Sequence, residues 1–196
     1  MEAAEALLEG GARILQFRHK GFWGRDVFAA ASETGRLCRA AGAVFVVNDR
    51  ADFAAIIGAG LHVGQDDLLP ADARTVIGPS AWLGFSTHNT AQMDAAAGEP
   101  VDYVAFGPVF STASKENPDP VAGVAALRAV RPRTSRPLVA IGGITRENAA
   151  ECLRAGADSL AVIGDLVSAV SFPLSVSEKK RNLRDRMTEW KKLTER

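Results

Sequence analysis

YVAFGPVFSTASK, residues Tyr103–Lys115, joins a short apolar segment to a polar turn. The segment Tyr103–Gly107 is apolar or small throughout, as in a strand of a parallel sheet that is buried on both faces. Gly107-Pro108 ends this strand, and the following residues offer three hydroxyls and one cation within five positions: Ser111, Thr112, Ser114 and Lys115. Several short donors with a charge on a flexible stem suit an anionic group such as phosphate. For this stretch alone, an exposed loop rich in serine and threonine is the alternative.

Similar apolar segments recur along the chain and alternate with helical patterns. Seven segments are predicted as strands: Ala12–Phe17, Ala43–Val47, Gly60–Val63, Trp82–Phe85, Tyr103–Gly107, Leu138–Ile141 and Ser159–Ile163. Strict alternation of strand and helix indicates an α/β fold with a parallel sheet. The repeat of roughly 20–25 residues, without GxGxxG or GxxxxGK[ST], favours a TIM (β/α)₈-type barrel over a doubly wound sheet.

One strand of the eight is missing from this pattern. The chain begins at Met1 in a helical segment, Met1–Gly10, so the predicted barrel lacks its first strand and has two unpaired edges. We therefore expect that the start is internal and that one more apolar strand is encoded upstream. The alternative is that two copies associate across the gap as a homo-oligomer.

Composition and charge restrict the class of protein. The 196 residues fit a single barrel domain, 1–196, with 171–196 as its closing C-terminal helix region. Lysine plus arginine equals aspartate plus glutamate, 23 each, which argues against nucleic acid or an acidic membrane as the main partner. Two cysteines without metal-ligand spacing, and no long apolar run, predict a reduced, cytoplasmic protein.

The C-terminal segment has its own pattern. Ser175-x-x-Glu178 fits a capping box, and an apolar stripe at helical spacing follows it: Leu183, Met187, Trp190 and Leu193. The lysines and arginines around this stripe are also typical of a membrane-surface helix. The interspersed glutamates favour a helix that closes the barrel.

The polar residues collect where the predicted strands end. In parallel barrels these ends meet at one face, which carries the active site. Ten residues are expected around this rim: Gln16, Arg18, Lys20, Asn48, Asp49, Gln65, Asp67, Ser86, Lys115 and Gly143. Each could singly be a helix cap or a solvated turn residue, but their concentration at one rim favours a site.

The rim motifs together resemble those of the thiamine-phosphate synthase family. They are QFRHK (16–20), NDR (48–50), LHVGQDD (61–67), GFSTH (84–88), FGPVFSTASK (106–115) and AIGGIT (140–145), in family order and spacing. The last motif occurs in many phosphate-binding barrels, whereas the six together are specific. The resemblance implies the joining of a hydroxymethylpyrimidine diphosphate to a thiazole phosphate, with release of pyrophosphate.

The resemblance also implies residue roles. Asp49 and Asp67 would bind Mg²⁺, a hard cation that takes one or two carboxylates with phosphate and water. Residue chemistry alone leaves Asp66 and Asp67 equivalent. Catalysis would fall to Lys115, Arg18 and Ser86. The substrate-binding set would be Gln16, Phe17, Arg18, His19, Lys20, Asn48, Ser86, Thr112, Ala113, Ser114, Lys115, Gly143, Ile163 and Gly164.

Within this set the cations would hold the diphosphate, with Asn48 and Ser86 as further donors. Gln16 would bind the pyrimidine edge, and the turns near Thr112, Gly143 and Ile163-Gly164 would bind the thiazole phosphate. Four positions depart from the family pattern. Glutamate is usual where His19 stands, proline where Ser111 stands, threonine where Ser114 stands, and serine where Gly164 stands. The changes at Ser111 and Ser114 keep the hydroxyl chemistry of the loop, whereas the change at Gly164 removes one hydroxyl donor to phosphate and keeps the backbone N–H.

Other activities fit parts of the pattern. A thiazole tautomerase on the same barrel would transfer a proton through a histidine such as His88 and would need no diphosphate site. A non-catalytic remnant could bind thiamine phosphates without turnover, and a phosphate-binding barrel enzyme of other chemistry is a third alternative. His62 is expected in the core or behind the site.

Overall fold

The sheet and its helices follow one another in strict order. The computed structural model describes residues 2–114, 119–170 and 174–194. The strands are β1 (Ile14–Phe17), β2 (Val44–Asn48), β3 (Gly60–Val63), β4 (Leu83–Thr87), β5 (Tyr103–Phe106), β6 (Leu138–Ile141) and β7 (Ser159–Ala161). The helices are α1 (Glu2–Glu9), α2 (Arg25–Ala40), α3 (Ala51–Ile57), α4 (Pro70–Ile77), α5 (Thr90–Ala96), α6 (Gly123–Val130), α7 (Ala149–Arg154), α8 (Gly164–Val167) and α9 (Val176–Thr194).

All strand pairs are parallel, and each strand pairs with the next along the chain. Within the described ranges β1 and β7 each have one neighbour, so the curled sheet is an open part of a TIM-type barrel. The predicted α/β barrel class and its seven strands are confirmed. No helix among the described residues has the length and apolarity needed to cross a membrane.

The outer face of the sheet packs against the helices. Alternate strand residues point outward and are buried: Phe45, Val47, Leu61, Val63, Leu83, Phe85, Val104, Phe106 and Leu138. Helix residues such as Met93, Leu127 and Cys152 complete this core. Burying a large apolar side chain contributes roughly 1.5–3 kcal/mol, so this outer layer supplies most of the stabilisation of the sheet.

The inner face of the sheet is polar by comparison. Cα partners in neighbouring parallel strands share a face, and the register places Asn48, His62, Gly84 and Tyr103 in one row across four strands. Ser86 lies on the same face, two residues farther along β4. This face therefore carries side chains that can form hydrogen bonds behind the rim.

Two similar ion-pair staples hold the amino ends of the strands. Asp102 Oδ2 accepts hydrogen bonds from Leu83 N at 2.7 Å and from Arg74 Nη2 at 2.7 Å. Asp158 Oδ2 accepts from Leu138 N at 2.7 Å and from Arg131 Nη1 at 2.6 Å. Each aspartate precedes one strand and bonds the first N–H of the preceding strand, so each staple sets the register of a strand pair, β4–β5 or β6–β7.

Candidate active site

The carboxyl end of β2 carries a cluster of two carboxylates and a lysine. Asp49 directly follows β2 and is ion-paired with Lys20 from the turn after β1. The Asp67 carboxyl contacts that of Asp49, and Asp67 Oδ2 accepts a hydrogen bond from Gly64 N at 2.7 Å. Burial and the neighbouring Asp67 raise the pKa of Asp49, and Lys20 only partly offsets this. Asp66 is exposed, so the fold distinguishes two aspartates that residue chemistry leaves equivalent.

The backbone at Asp49 has an unusual conformation. Its φ is +66°, in the left-handed region that costs most non-glycine residues free energy and that aspartate tolerates better than others. Asp49 N donates to His62 O at 2.9 Å, which ties this turn to β3. The turn therefore holds the two carboxylates close together.

Asn48 lies beside this cluster, and its side-chain nitrogen has no hydrogen-bond partner among the described residues. Its side chain is 7% exposed, and its Nδ2 is the buried side-chain nitrogen or oxygen that lacks a hydrogen-bond partner among the described residues. Leaving a buried donor unpaired costs roughly 1–3 kcal/mol, which a native protein rarely accepts without a function. An acceptor oxygen bound at the rim would satisfy it.

The turn after β1 is anchored by Trp23. The Trp23 ring stacks on Phe53 with centroids 4.7 Å apart, contacts Phe17 edge-on, and donates from Nε1 to His19 O at 3.1 Å. The Arg50 guanidinium lies 4.1 Å from the Phe53 ring centroid. Sequence reasoning missed Trp23, whose role is to hold the turn that presents Lys20 and the exposed Arg18.

Behind the rim, Ser86 is held by a buried histidine. Ser86 Oγ lies 2.8 Å from His62 Nε2, and His62 Nδ1 lies 2.9 Å from the Tyr103 hydroxyl. Burial lowers the pKa of His62 to about 4 and raises that of Tyr103, so both are neutral near pH 7. Gly84 makes this contact possible, because a Cβ at Gly84 would overlap the Tyr103 phenol.

The turns after β5 and β6 pack on each other. Val109 N donates to Ile141 O at 2.8 Å, and Phe110 N donates to Gly142 O at 3.0 Å. Gly143, with φ of +64°, lies so close to Phe110 and Ser111 that a Cβ would collide with their backbone. The hydroxyl turn with Thr112, Ala113 and Ser114 is thus adjacent to the Gly142-Gly143 turn. Lys115 lies outside the described residues.

Two further turns complete the rim. Asn148, which sequence reasoning missed, donates from Nδ2 to Gly143 O at 3.0 Å and accepts from Thr145 N at 2.8 Å, which fixes the glycine turn. After β7, Ile163 is half exposed, and the space around the Gly164 Cα is open. The backbone of Gly164 is therefore accessible.

The His88 side chain contacts the turn after β5. His88 Nδ1 lies 2.5 Å from Gly107 O, which can only accept, so Nδ1 carries the proton. Its Nε2 lies 3.6 Å from an Asp119 carboxylate oxygen. These contacts give His88 a clear role in holding the turn after β5.

A parallel (β/α) sheet with a carboxylate–lysine cluster at the carboxyl ends of its strands has the arrangement of a TIM-barrel enzyme. The thiamine monophosphate synthase family model matches residues 1–166. A thiamine-phosphate synthase from Koribacter versatilis is 52% identical over 165 residues, which are 84% of this chain and 78% of that protein. One from Methanoculleus marisnigri is 43% identical over 95% of this chain and 87% of its own length.

Solved structures agree with these matches. Thiamine phosphate pyrophosphorylase from Pyrococcus furiosus superimposes with a TM-score of 0.83 at 31% identity, over 98% of this chain and 88% of that chain. An Escherichia coli aldolase with a TM-score of 0.74, at 15% identity over 99% of this chain and 87% of its own, shares the fold alone. The chain belongs to the thiamine monophosphate synthase family, whose members are transferases that release pyrophosphate. The resemblance drawn from the rim motifs is confirmed.

Proposed function

We propose that this chain joins a hydroxymethylpyrimidine diphosphate to a thiazole phosphate at the rim described above, with Mg²⁺ bound by Asp49 and Asp67. The observation that carries this proposal is the cluster at the carboxyl end of β2, in which the Asp49 and Asp67 carboxyls lie close enough to interact and Lys20 is ion-paired with Asp49. Two adjacent carboxylates repel each other, and a bound divalent cation would remove that cost.

The donor set fits Mg²⁺ better than a softer metal. Within the described part of the chain no three His, Cys, Asp or Glu side chains form a metal cluster. Mg²⁺ commonly uses one or two carboxylates and takes its other oxygens from phosphate and water. When bound, it would neutralise charge on the departing diphosphate.

The residues around the carboxylates suit a diphosphate. Lys20 already lies at Asp49, and Arg18 is exposed on the same turn. The unpaired Nδ2 of Asn48 supplies a neutral hydrogen-bond donor beside the carboxylates. We assign Lys115 to the same leaving group as a further cation. As the C–O bond to the pyrimidine methylene breaks, its electron pair goes to the diphosphate oxygen, and these groups stabilise the developing charge.

The pyrimidine is assigned to the inner face of the sheet. Gln16 belongs to this face in β1, and Ser86 offers a hydroxyl that is held by His62. Phe17 points outward against Trp23, and the His19 ring faces the same indole edge-on, so only the backbone of each residue is assigned to substrate. The thiazole nitrogen then attacks the methylene, and a C–N bond replaces the C–O bond.

The thiazole phosphate is assigned to the backbone turns after β5, β6 and β7. Gly164 leaves its backbone open to a ligand, Gly143 allows the turns after β5 and β6 to pack together, and Thr112 and Ser114 contribute hydroxyls beside Ala113. TIM barrels commonly bind phosphate after their last strands. Ile163 would flank this subsite with its exposed side chain.

The decisive assay measures pyrophosphate release with both substrates, with and without Mg²⁺. Release that requires both substrates and the metal supports the proposal, whereas release from the pyrimidine diphosphate alone or no release at all contradicts it. The tautomerase and remnant alternatives receive no support from the relatives described above. Isomerisation of a thiazole phosphate in the absence of the pyrimidine diphosphate would instead support the tautomerase.

Cellular context is a further part of the proposal. Two buried free cysteines, Cys38 and Cys152, suit a reducing compartment, and we infer a cytoplasmic location. Small-molecule substrates are the expected partners. Association into a homo-oligomer stays a prediction, to be measured by sedimentation equilibrium.

A further inference from the structure

Asp165 is a buried carboxylate directly after the candidate phosphate turn Ile163-Gly164. Its side chain is 10% exposed and accepts hydrogen bonds on Oδ2 from Trp190 Nε1 at 2.8 Å and Arg146 Nε at 3.1 Å. Arg186 pairs with Oδ1 at 3.5 Å and donates to the Asp165 carbonyl at 2.8 Å. A carboxylate this buried needs such partners, and its position is fixed by them.

These partners come from two different parts of the molecule. Arg146 lies three residues after Gly143, so the Arg146–Asp165 pair joins the turn after β6 to the turn after β7. Trp190 and Arg186 come from α9, and Glu189 of the same helix is ion-paired with Arg146. The two proposed phosphate-binding turns are therefore connected to each other and to α9 through one carboxylate.

The family model ends at residue 166, so α9 lies outside the segment that it matches. Trp190 is 3% exposed, and its indole is therefore packed as well as hydrogen-bonded. Elsewhere α9 is held to α1 by Lys180, whose Nζ lies 3.0 Å from a Glu5 oxygen and 2.9 Å from a Glu9 oxygen. These two attachments of α9 can be altered separately.

We propose that Asp165 is a positioning residue that, through Arg146 and Trp190, sets the spacing of the two phosphate-binding turns and makes α9 part of the thiazole-phosphate subsite. This inference rests on the proposed function. Asp165 does not touch substrate in this role. A shift of about 1 Å in a binding group can cost up to two orders of magnitude in rate or affinity, so loss of the carboxylate weakens phosphate binding selectively.

The test compares thiamine phosphate with thiamine, which differ only in the phosphate, by calorimetry on the full chain. Asp165→Asn should weaken thiamine phosphate binding by about tenfold or more, and Trp190→Phe by about three- to tenfold. Thiamine binding should change by less than about twofold in both variants. In steady state, KM for the thiazole phosphate should rise while KM for the pyrimidine diphosphate and kcat stay close to wild type.

Lys180→Met is the matched control, because it removes the ion pairs of α9 with Glu5 and Glu9 without touching Asp165. It should bind both ligands like wild type. Equal losses for thiamine and thiamine phosphate in Trp190→Phe, or unchanged thiamine phosphate binding in both variants, overturn the positioning role. If the wild type itself binds thiamine phosphate no better than thiamine, the assigned phosphate subsite is wrong and this inference falls with it.

Discussion

At the scale of single residues, the two aspartates after β3 offer a matched comparison. Asp67→Asn should lower kcat by about two to three orders of magnitude, because one of two metal-binding carboxylates and roughly 3–4 kcal/mol of charge stabilisation are lost. Asp66→Asn changes the same charge at an exposed neighbour that does not contact Asp49. It should keep near wild-type turnover at saturating Mg²⁺. Equal losses in the two variants would remove the metal assignment of Asp67.

Gly164 should accept the serine that is usual in the family. A Cβ at this position would have no atom within 4 Å, and the backbone is not in the left-handed region. A hydroxyl there adds one donor to a charged phosphate, and such hydrogen bonds contribute roughly 1.5–3 kcal/mol when well formed. Gly164→Ser should therefore lower KM for the thiazole phosphate by about three- to tenfold. An unchanged or higher KM would place the phosphate away from this turn.

His62 should make the folded protein sensitive to mild acid. Its pKa is about 4 in the folded state because of burial, against 6.5 for the free side chain, and the nearby Asp67 charge acts in the opposite direction. The stabilisation from neutral His62 is complete above pH 6.5 and is lost as the pH falls from 6.5 towards 4. The difference amounts to roughly 3 kcal/mol.

Chemical denaturation at several pH values measures this loss. His62→Gln removes the titrating group that faces Ser86 and Tyr103, so its free energy of unfolding should fall less steeply between pH 6.5 and 4. Parallel pH profiles for the variant and the wild type would show that His62 does not carry the effect.

Residue identity predicted some of these roles and missed others. The aspartate and asparagine at strand ends were visible because polar residues directly follow apolar runs. The hydrogen bonds that link Ser86 through His62 to Tyr103 could not be predicted, because they depend on strand register and on the absence of a Cβ at Gly84. The choice between Asp66 and Asp67 required backbone direction within the turn, which neighbouring identical side chains do not reveal.

At the scale of elements, the pairing of β4 with β5 depends on that glycine. Gly84→Ala should reduce the free energy of unfolding by about 2–3 kcal/mol, because the new methyl group displaces Tyr103 from His62. Gly98→Ala is the control, since the nearest atom to its Cβ is 3.9 Å away, and it should change stability by about 0.5 kcal/mol or less. Urea unfolding measures both. Similar stabilities for the two variants would contradict the steric argument.

Helix ends were predictable where a local motif determines them. The Ser175–Glu178 capping box is confirmed, with Ser175 N donating to Glu178 Oε2 at 2.8 Å and Glu178 N donating to Ser175 Oγ at 3.3 Å. The start of a helix is harder to predict where a side chain holds the preceding turn. α7 begins at Ala149, because Asn148 bonds Thr145 N and holds the preceding residues in a turn. The short helix α8 has no such motif and was missed.

At the scale of the whole molecule, we propose that residues 1–196 unfold as one domain. Trp190 in α9 and Trp23 beside β1 are both buried, and α9 is tied to both α1 and the turn after β7. Tryptophan emission and far-UV circular dichroism should therefore follow the same transition in urea. An emission change that precedes the loss of helical signal would instead indicate that the C-terminal region detaches first.

The barrel class was predictable because a two-sided burial pattern repeats at regular spacing. Seven apolar segments, each followed by polar residues, leave few other arrangements for a chain of this length. The order and register of the strands were less visible, since they depend on pairs such as Asp102 with Leu83 N. Those partners are far apart in sequence.

The two arginine–aspartate staples lie at the amino ends of the strands, opposite the rim that carries the proposed chemistry. These two ion pairs therefore stabilise the sheet at a distance from the residues that are assigned to turnover. Evolution or an engineer could strengthen the base of the sheet around Arg74 and Arg131 to adapt the enzyme to heat while leaving its substrate preference untouched. Substitutions at the rim could change the substrate to other phosphorylated heterocycles while the amino ends of the strands stay the same.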